Sequence, residues 1–556
     1  MNTVFHQCDV LVLGGGGAAV SAAVKAAQCG ADVIVVSKEP IGYGDTRISM
    51  GMIANPHMVA SDSDERFFED LLSCGEQINN PVLADLVVKK AARGREFLEE
   101  NGHLFQRGST GKIDKEVAFF SGGHSVPRTL GCPPSKGVGI GNALREAVLK
   151  SSKIKVYEEI IAYTLLKTGD RVTGAFCYCM TDGTFMQINS KTTIIACGGA
   201  GYLYYPHSDC TAGTTGDSYS LAYNVGAEFV DMEQVQFVPF SITHPSSMIG
   251  VFIGDPVLAA PNGKLINKNG EIVLHCGTSF TRAEVARLIT TQVEAGLGTE
   301  YGGLKLDLSE NRNVDQDALW IRRKNLGQLD LVKQAYGKAA FQWQEPWDVG
   351  ITAHYNMGGI VVNEYSCSAV PGLYAAGQAI GGVFGADRLG SVSLSEIFVF
   401  GEEAGRNAAY DALNMPYPIN EPYEYYPFSF GSVGSHKPIA LKKALQNIMW
   451  KYVGPARTEI SLIKAIYEIG LLKVQACDLS ISAEPIYNRD MVDAIELHHM
   501  LVSAEIIARS ALDRRESRGA HLRLDFPEKN DTEYLGNVYA TMDESGSVKT
   551  VLRKLR

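Results

Sequence analysis

Several chemistries have no short-range signature in this chain. It holds eleven cysteines in 556 residues, yet no C-x-x-C, and the closest pair is Cys177 and Cys179. That excludes a locally encoded zinc, iron–sulfur or c-type haem site, and no metal centre is expected. No apolar run approaches the ~18 residues of a membrane span, so membrane association is expected only through a partner. The opening "MNTVFHQ" lacks the basic, apolar and small-residue pattern of a secretory signal. Scattered cysteines then fit free thiols in a reducing cytoplasm. There is no block of like charge, and the formal net charge is -11, which argues against nucleic acid as a partner.

What is present is the composition of a soluble globular protein, 45% hydrophobic and 20% charged. The length is too great for one core and implies two to four domains. Residues 8–38, "CDVLVLGGGGAAVSAAVKAAQCGADVIVVSK", read as a buried strand, a glycine-rich turn, an alanine-rich helix and a second buried strand. Gly14 permits the tight turn, Gly16 lets the backbone approach a pyrophosphate, and Ala19 holds the third fingerprint position. The helix beginning at Gly17 and Ala18 points its free amides at that charge. Dinucleotide sites that take NAD commonly carry an acidic residue after the second strand. Here that strand ends in Ser37-Lys38, which does not favour NAD over FAD.

Residues 65–100 have helical spacing, 154–196 read as strands ending in "TIIACGGAG", and 240–345 change character as an inserted domain would. A strand-like run over 359–377 ends in "GLYAAGQ", and 394–413 look helical. Residues 417–438 are a Pro/Tyr/Ser-rich linker, followed by helical segments at about 439–453, 457–475 and 488–515. A phosphate loop, a mid-chain strand ending in Gly-Gly and a late strand ending in Ala-Gly is the layout of two-domain FAD proteins.

The segment "GADRLGSVSL" (385–394) allows two readings. Arg388 forms a surface ion pair with Asp387, or its guanidinium clamps a substrate carboxylate in two-pronged geometry. The remaining motifs bear on that choice. "TGDSYSLAYNVGAEFVDMEQVQF" (215–237), "INKNG" (266–270), "HYNMGGI" (354–360), "GADRLGSVSLSEIFVFGEEAG" (385–405) and "RRESRGAHLRLDFPEKND" (514–531) span nearly the whole chain. In these the chain resembles the flavoprotein subunits of succinate dehydrogenase and fumarate reductase, with L-aspartate oxidase and the adenylylsulfate reductase alpha subunit.

The resemblance implies an α/β fold: a Rossmann-like FAD-binding domain (1–238 and 349–416), an inserted α+β capping domain (239–348) and a linker with a C-terminal helical domain (417–556). It implies a substrate anion held by Arg388 and His354 against the flavin, with Arg282 as proton donor or acceptor and Arg287 matching a further family arginine. It places FAD against Gly14, Gly16, Gly17, Ala18, Ser37 and Lys38, then Asp45, Thr46 and Gly51. Further along it places FAD against Ala196, Gly198, Gly199 and Asp217, and finally against Gln378, Arg388, Ser391, Ser393 and Leu394. Gln378 stands where the family often has Glu.

Two departures narrow the reading. Family members with covalent flavin carry a His where this chain has Asp45, in "GYGDTRISMGMIA", so FAD is expected to bind non-covalently. Fumarate reductases show "QYHPTG" and a later Arg/Glu-containing segment. Here "QFVPFS" puts Val238 in place of the His, and "IGDPVLAAPNGKLINKNG" is apolar and Pro-containing, with His244 and Asp255 nearby only after a shift. A dicarboxylate needs cationic partners at both ends, because a buried charge without partners is costly. The expected function is therefore hydride transfer between FAD and an anionic, carboxylate-bearing substrate other than fumarate. The distal end of that substrate would face an apolar wall at Val257 and Leu258. Two alternatives stand beside it: an adenylylsulfate-reductase-like sulfur enzyme, and a non-catalytic flavin electron relay. The expected partner is an iron–sulfur or other electron-transfer subunit.

Overall fold

The fold is described from a computed structural model, which covers residues 3–132, 135–254, 262–275, 280–313, 329–418 and 423–555. Strand β1 (Thr3–Leu13) is followed by helix α1 (Gly17–Gln28) and strand β2 (Val33–Val36). Val10–Leu13 and Val33–Val36 are buried and pair in parallel register, Val10 beside Val33 and Leu13 beside Val36. Continuous apolar runs suit strands covered on both faces. The sheet continues with β3 (Ile154–Tyr157) outside β2, and with a meander of β4 (Ile160–Thr168), β5 (Arg171–Cys179) and β6 (Phe185–Ile195) on the other side.

Strand β6 changes partner along its length. Phe185–Asn189 pair antiparallel with β5, while Thr193–Ile195 pair in parallel with a short late strand, Leu373–Ala375. The ends of β1, β2, β6 and this late strand thus open toward one place, the crevice where ligands bind in doubly wound sheets.

A second sheet has its own core, which includes Phe240, Leu265, Leu306, Trp343, Trp347 and Val349. Strand β7 (Val235–Ile242) pairs antiparallel with β8 (Trp347–Asn356), from Val235 beside Asn356 to Ile242 beside Val349. These two strands cross the expected boundaries at 238/239 and 348/349, so the inserted region hangs on a continuous two-stranded connection. Within that region, α2 (Arg282–Glu294) opens with a capping box between Thr281 and Glu284.

The late strand Leu373–Ala375, labelled β9, leads through Gly377 and Gln378 to α3 (Val392–Leu413). Three long helices follow among the described residues, α4 (Pro438–Val453), α5 (Glu459–Gln475) and α6 (Arg489–Asp513), and then a single turn at Asp531–Tyr534. Two features go beyond the sequence reading. The aromatic part of the 417–438 linker packs as a strap: Tyr423 meets Phe176 at 4.9 Å between ring centroids, and Tyr426 meets Phe185 at 4.7 Å. The C-terminal region also adds a hairpin, β10 (Gly536–Met542) with β11 (Val548–Lys554), which docks on Phe229–Val230. Among the described residues no helix is long and apolar enough to cross a membrane.

Candidate functional site: a glycine-cradled cleft with converging cations

A cleft of about 460 Å³ lies where the four parallel strand ends converge. Its floor is the turn after β1. Gly14 has φ +122°, and a Cβ there would sit 2.2 Å from the Ala196 carbonyl oxygen, so only glycine fits. A Cβ on Gly16 would meet nothing nearer than the Thr46 hydroxyl at 3.5 Å, so that face is open to a ligand. The Gly17 amide donates to the Thr46 hydroxyl at 3.3 Å.

The cleft is lined by Gly14, Gly16, Gly17 and Ala18; by Ser37, Lys38, Asp45, Thr46 and Gly51; by Ala196, Gly198 and Asp217; and by Gln378, Ser391, Ser393 and Leu394. Of the cofactor residues anticipated from sequence, Gly199 alone does not line it. It packs behind the wall, where a Cβ would meet the Asn356 and Gln378 side chains at 2.8 Å. Ser391 takes a left-handed φ of 61° just before α3.

Two arginines and a histidine line this cleft from three elements, close enough for their charges to act on one another: Arg282 from the first turn of α2, His354 from β8, and Arg388 from the turn before α3. Arg388 is buried at 4% exposure, and so is Asp387 at 3%, which overturns the surface ion pair. The Asp387 carboxylate instead accepts from the Gln236 amide at 2.6 Å and from the Arg388 backbone N–H at 2.9 Å. The guanidinium donates to the Gln236 carbonyl at 3.1 Å and the Ser393 hydroxyl at 3.3 Å, and lies 5.3 Å from the Tyr355 ring centroid. Burial, then the neighbouring Arg282 charge, pull its pKa down to about 10.

His354 is bonded through Nδ1 to Asp209 at 2.7 Å. Burial lowers its pKa, Asp209 opposes that shift, and Arg388 and Arg282 add to it. Asp209, Tyr355 and Phe252 line the cleft and were not anticipated. Asp209 stands in an irregular stretch, "PHSDCTAG", with no motif to mark it. Tyr355 was hidden beside the more conspicuous His354. The described apolar wall is Val251 and Phe252, and the Arg282 guanidinium lies 5.7 Å from the Phe252 ring centroid. Val257, Leu258 and Asp255 fall outside the described residues.

Other candidates lie off the cleft. Val238 is fully buried in β7. His244 stacks on Tyr301 with ring centroids 3.8 Å apart. Arg287 donates to the His521 carbonyl at 3.4 Å and leaves its buried Nε without a partner.

Comparisons with known proteins agree with this geometry. Residues 9–394 match the family described as FAD binding domain, and residues 442–555 match fumarate reductase flavoprotein C-term. The chain belongs to the fumarate reductase/succinate dehydrogenase flavoprotein family. A fumarate reductase (CoM/CoB) chain of Methanothermobacter marburgensis is 33% identical over 95% of this chain and 96% of its own. Among solved structures, an E. coli quinol fumarate reductase chain superposes with a TM-score of 0.87 at 26% identity, covering 100% of this chain and 97% of that one. Mycobacterium smegmatis Sdh1 gives 0.86 at 28% identity, covering 100% and 95%.

As a member of this flavoprotein family the chain is an FAD-dependent oxidoreductase. The residues present fit FAD: the turn at Gly14 and Gly16 leaves room for a phosphate, and the Gln378 amide nitrogen, buried at the cleft wall, has no hydrogen-bond partner among the described residues.

Proposed function

We propose that this flavoprotein is a catalytic subunit transferring hydride between FAD and an organic acid that presents one carboxylate head. The observation that carries this reading is the grouping of Arg282, His354 and Arg388 in the cleft that the glycine turn floors. Bound FAD supplies the hydride chemistry, and the protein supplies position, a proton and exclusion of water. Arg388 and His354 hold the carboxylate. Arg282 gives or takes the proton at the adjacent carbon. The neutral remainder of the substrate lies along Phe252 and Val251.

Fumarate, the substrate in the name of the archaeal relative, is the decisive comparison. A second carboxylate would share the cleft with the Asp209 carboxylate. A single-headed acid avoids that repulsion. The test adds fumarate, succinate, aspartate and bulkier enoates anaerobically to oxidised and to reduced protein and follows the flavin spectrum. A monocarboxylate enoate reoxidising the flavin faster than fumarate is expected. Fumarate outpacing every single-headed acid would overturn the reading.

FAD is held without a covalent bond, since Asp45 supplies no imidazole nucleophile. Acid precipitation should release the yellow cofactor; fluorescence that stays with the denatured chain would refute this. Electrons leave through a separate iron–sulfur or other electron-transfer subunit in the cytoplasm. Support comes from the C-terminal region, residues 442–555, which matches fumarate reductase flavoprotein C-term. Native purification should recover the partner, and a lone chain rapidly reoxidised by air would count against it.

A further inference from the structure

Helix α6 is buried on nearly every face, yet it carries a polar stripe. Asp493, Glu496, His499 and Ser503 are spaced three, three and four residues apart, which sets them on one side of the helix. All four are buried, and each finds a specific partner. One Glu496 oxygen contacts Lys38 at 3.1 Å, and the other contacts Lys442 of α4 at 2.5 Å. Lys442 also binds Asp493 at 2.8 Å. His499 Nδ1 meets Asp217 at 3.1 Å, and the Ser503 hydroxyl donates to the Gly216 carbonyl at 3.1 Å. The contact at Gly216 is close: the residue has φ +79°, and a Cβ there would lie 2.2 Å from the Ser503 hydroxyl.

Lys38 and Asp217 are the far ends of this stripe's contacts, and both line the cleft. They bind each other at 3.0 Å, and Lys38 also donates to the Thr215 hydroxyl at 2.7 Å. An ammonium has three donors and no acceptor. Thr215, Asp217 and Glu496 match that number, so the orientation of Lys38 is set jointly by the FAD-binding part and the C-terminal part of the chain. Docking alone does not call for such a network. The apolar residues of α6, among them Ile495, Met500 and Ile507, already bury that interface, and a buried ion pair adds little stability over an apolar contact of the same shape.

We propose that Glu496 and His499 are positioning residues of the FAD cradle: from the C-terminal helical domain they fix Lys38, whose three donors are met by protein, and Asp217 in the stretch of cleft wall against which FAD lies. Retention of FAD then depends on a domain that does not itself line the cleft, whatever the substrate proves to be.

The test uses the full-length chain stripped of FAD and titrated with FAD, following tryptophan fluorescence, beside the thermal unfolding midpoint of the same FAD-free protein. His499→Gln, which takes no charge from Lys38 or Lys442, is expected to weaken FAD binding about tenfold with the FAD-free midpoint unchanged. Glu496→Gln leaves those two buried ammonium groups one carboxylate short, so it should weaken FAD binding and lower the FAD-free midpoint as well, while Glu496→Asp keeps most of the affinity. An unchanged dissociation constant in His499→Gln overturns the proposal. So does a weakening in His499→Gln matched by an equal loss of FAD-free stability, which would make the network only a domain clamp. If His499→Gln does not fold, Glu496→Asp beside Glu496→Gln decides: equal FAD affinity in the two overturns the proposal.

Discussion

His354 Nδ1 and Asp209 Oδ2 lie 2.7 Å apart at the mouth of the cation cluster. The contact orients the ring and leaves Nε2 for a ligand. Burial lowers the His354 pKa while the Asp209 charge raises it. Removing the carboxylate leaves burial and the two arginines unopposed, so the imidazolium persists only to a more acidic pH. Asp209→Asn should therefore shift the His354 limb of the kcat/KM pH profile to lower pH and raise KM at neutral pH. A profile that coincides with the parent's would show that Asp209 does not act through His354.

Arg388 is buried and already spends two donors on Gln236 and Ser393. In the proposed clamp its remaining N–H groups bind the substrate carboxylate. Hydrogen bonds to charged groups contribute about 1.5–3 kcal/mol, so Arg388→Ala should lower kcat/KM by roughly 10- to 150-fold. Arg388→Lys should recover little, because an ammonium cannot reproduce the planar fork. Steady-state kinetics on the best acid from the substrate panel measures both. An Arg388→Ala enzyme with parental kcat/KM would remove the clamp.

Glu396, on α3, is 1% exposed, with the Tyr355 hydroxyl beside its carboxyl group. Burial raises its pKa from 4.5 to about 8, against the smaller opposing effect of the Tyr355 hydroxyl. Between those values the folded chain binds a proton that the unfolded chain has released, so this group makes stability fall as pH rises through that window. Glu396→Met abolishes the titration. Urea unfolding of the FAD-free chain should show a flatter decline from pH 5 to 8 and a gain of about 1–3 kcal/mol at the alkaline end. A decline as steep as the parent's would contradict the assignment.

Gly14 and Gly30 both have positive φ, but only Gly14 faces a neighbour. A Cβ at Gly14 would collide with Ala196 backbone, while one at Gly30 would meet nothing within 4 Å. Gly14→Ala should yield protein that purifies without FAD. Gly30→Ala should keep FAD and lose about 1 kcal/mol of stability. Absorbance of bound flavin per chain distinguishes the two, and equal flavin content would show that the close approach at Gly14 is not what shapes the cradle.

Much of this site was legible in the linear chain because its determinants are local. The run Val10–Leu13, the glycines after it and the strand Val33–Val36 encode a phosphate turn through spacing alone, and all but one of the anticipated cofactor residues line the cleft. Helices α4, α5 and α6 begin and end within about two residues of their expected limits, since helical periodicity is read over a few turns. The terminal hairpin was missed although "GNVYATMDESGSVKTV" carries alternation and a turn; the two-residue strand it docks on, Phe229–Val230, is remote in sequence.

What only the tertiary structure decided are the relations between distant charges. Sequence proximity offered Asp387 as the partner of Arg388, but folding buries both and puts Gln236 between them. Asp209 reaches His354 across 145 positions, and Glu496 reaches Lys38 from the far end of the chain. The physical reason is range. A turn or a helix is specified by neighbours a few residues apart, whereas a buried charge is specified by whichever groups the packed core brings within about 3 Å of it.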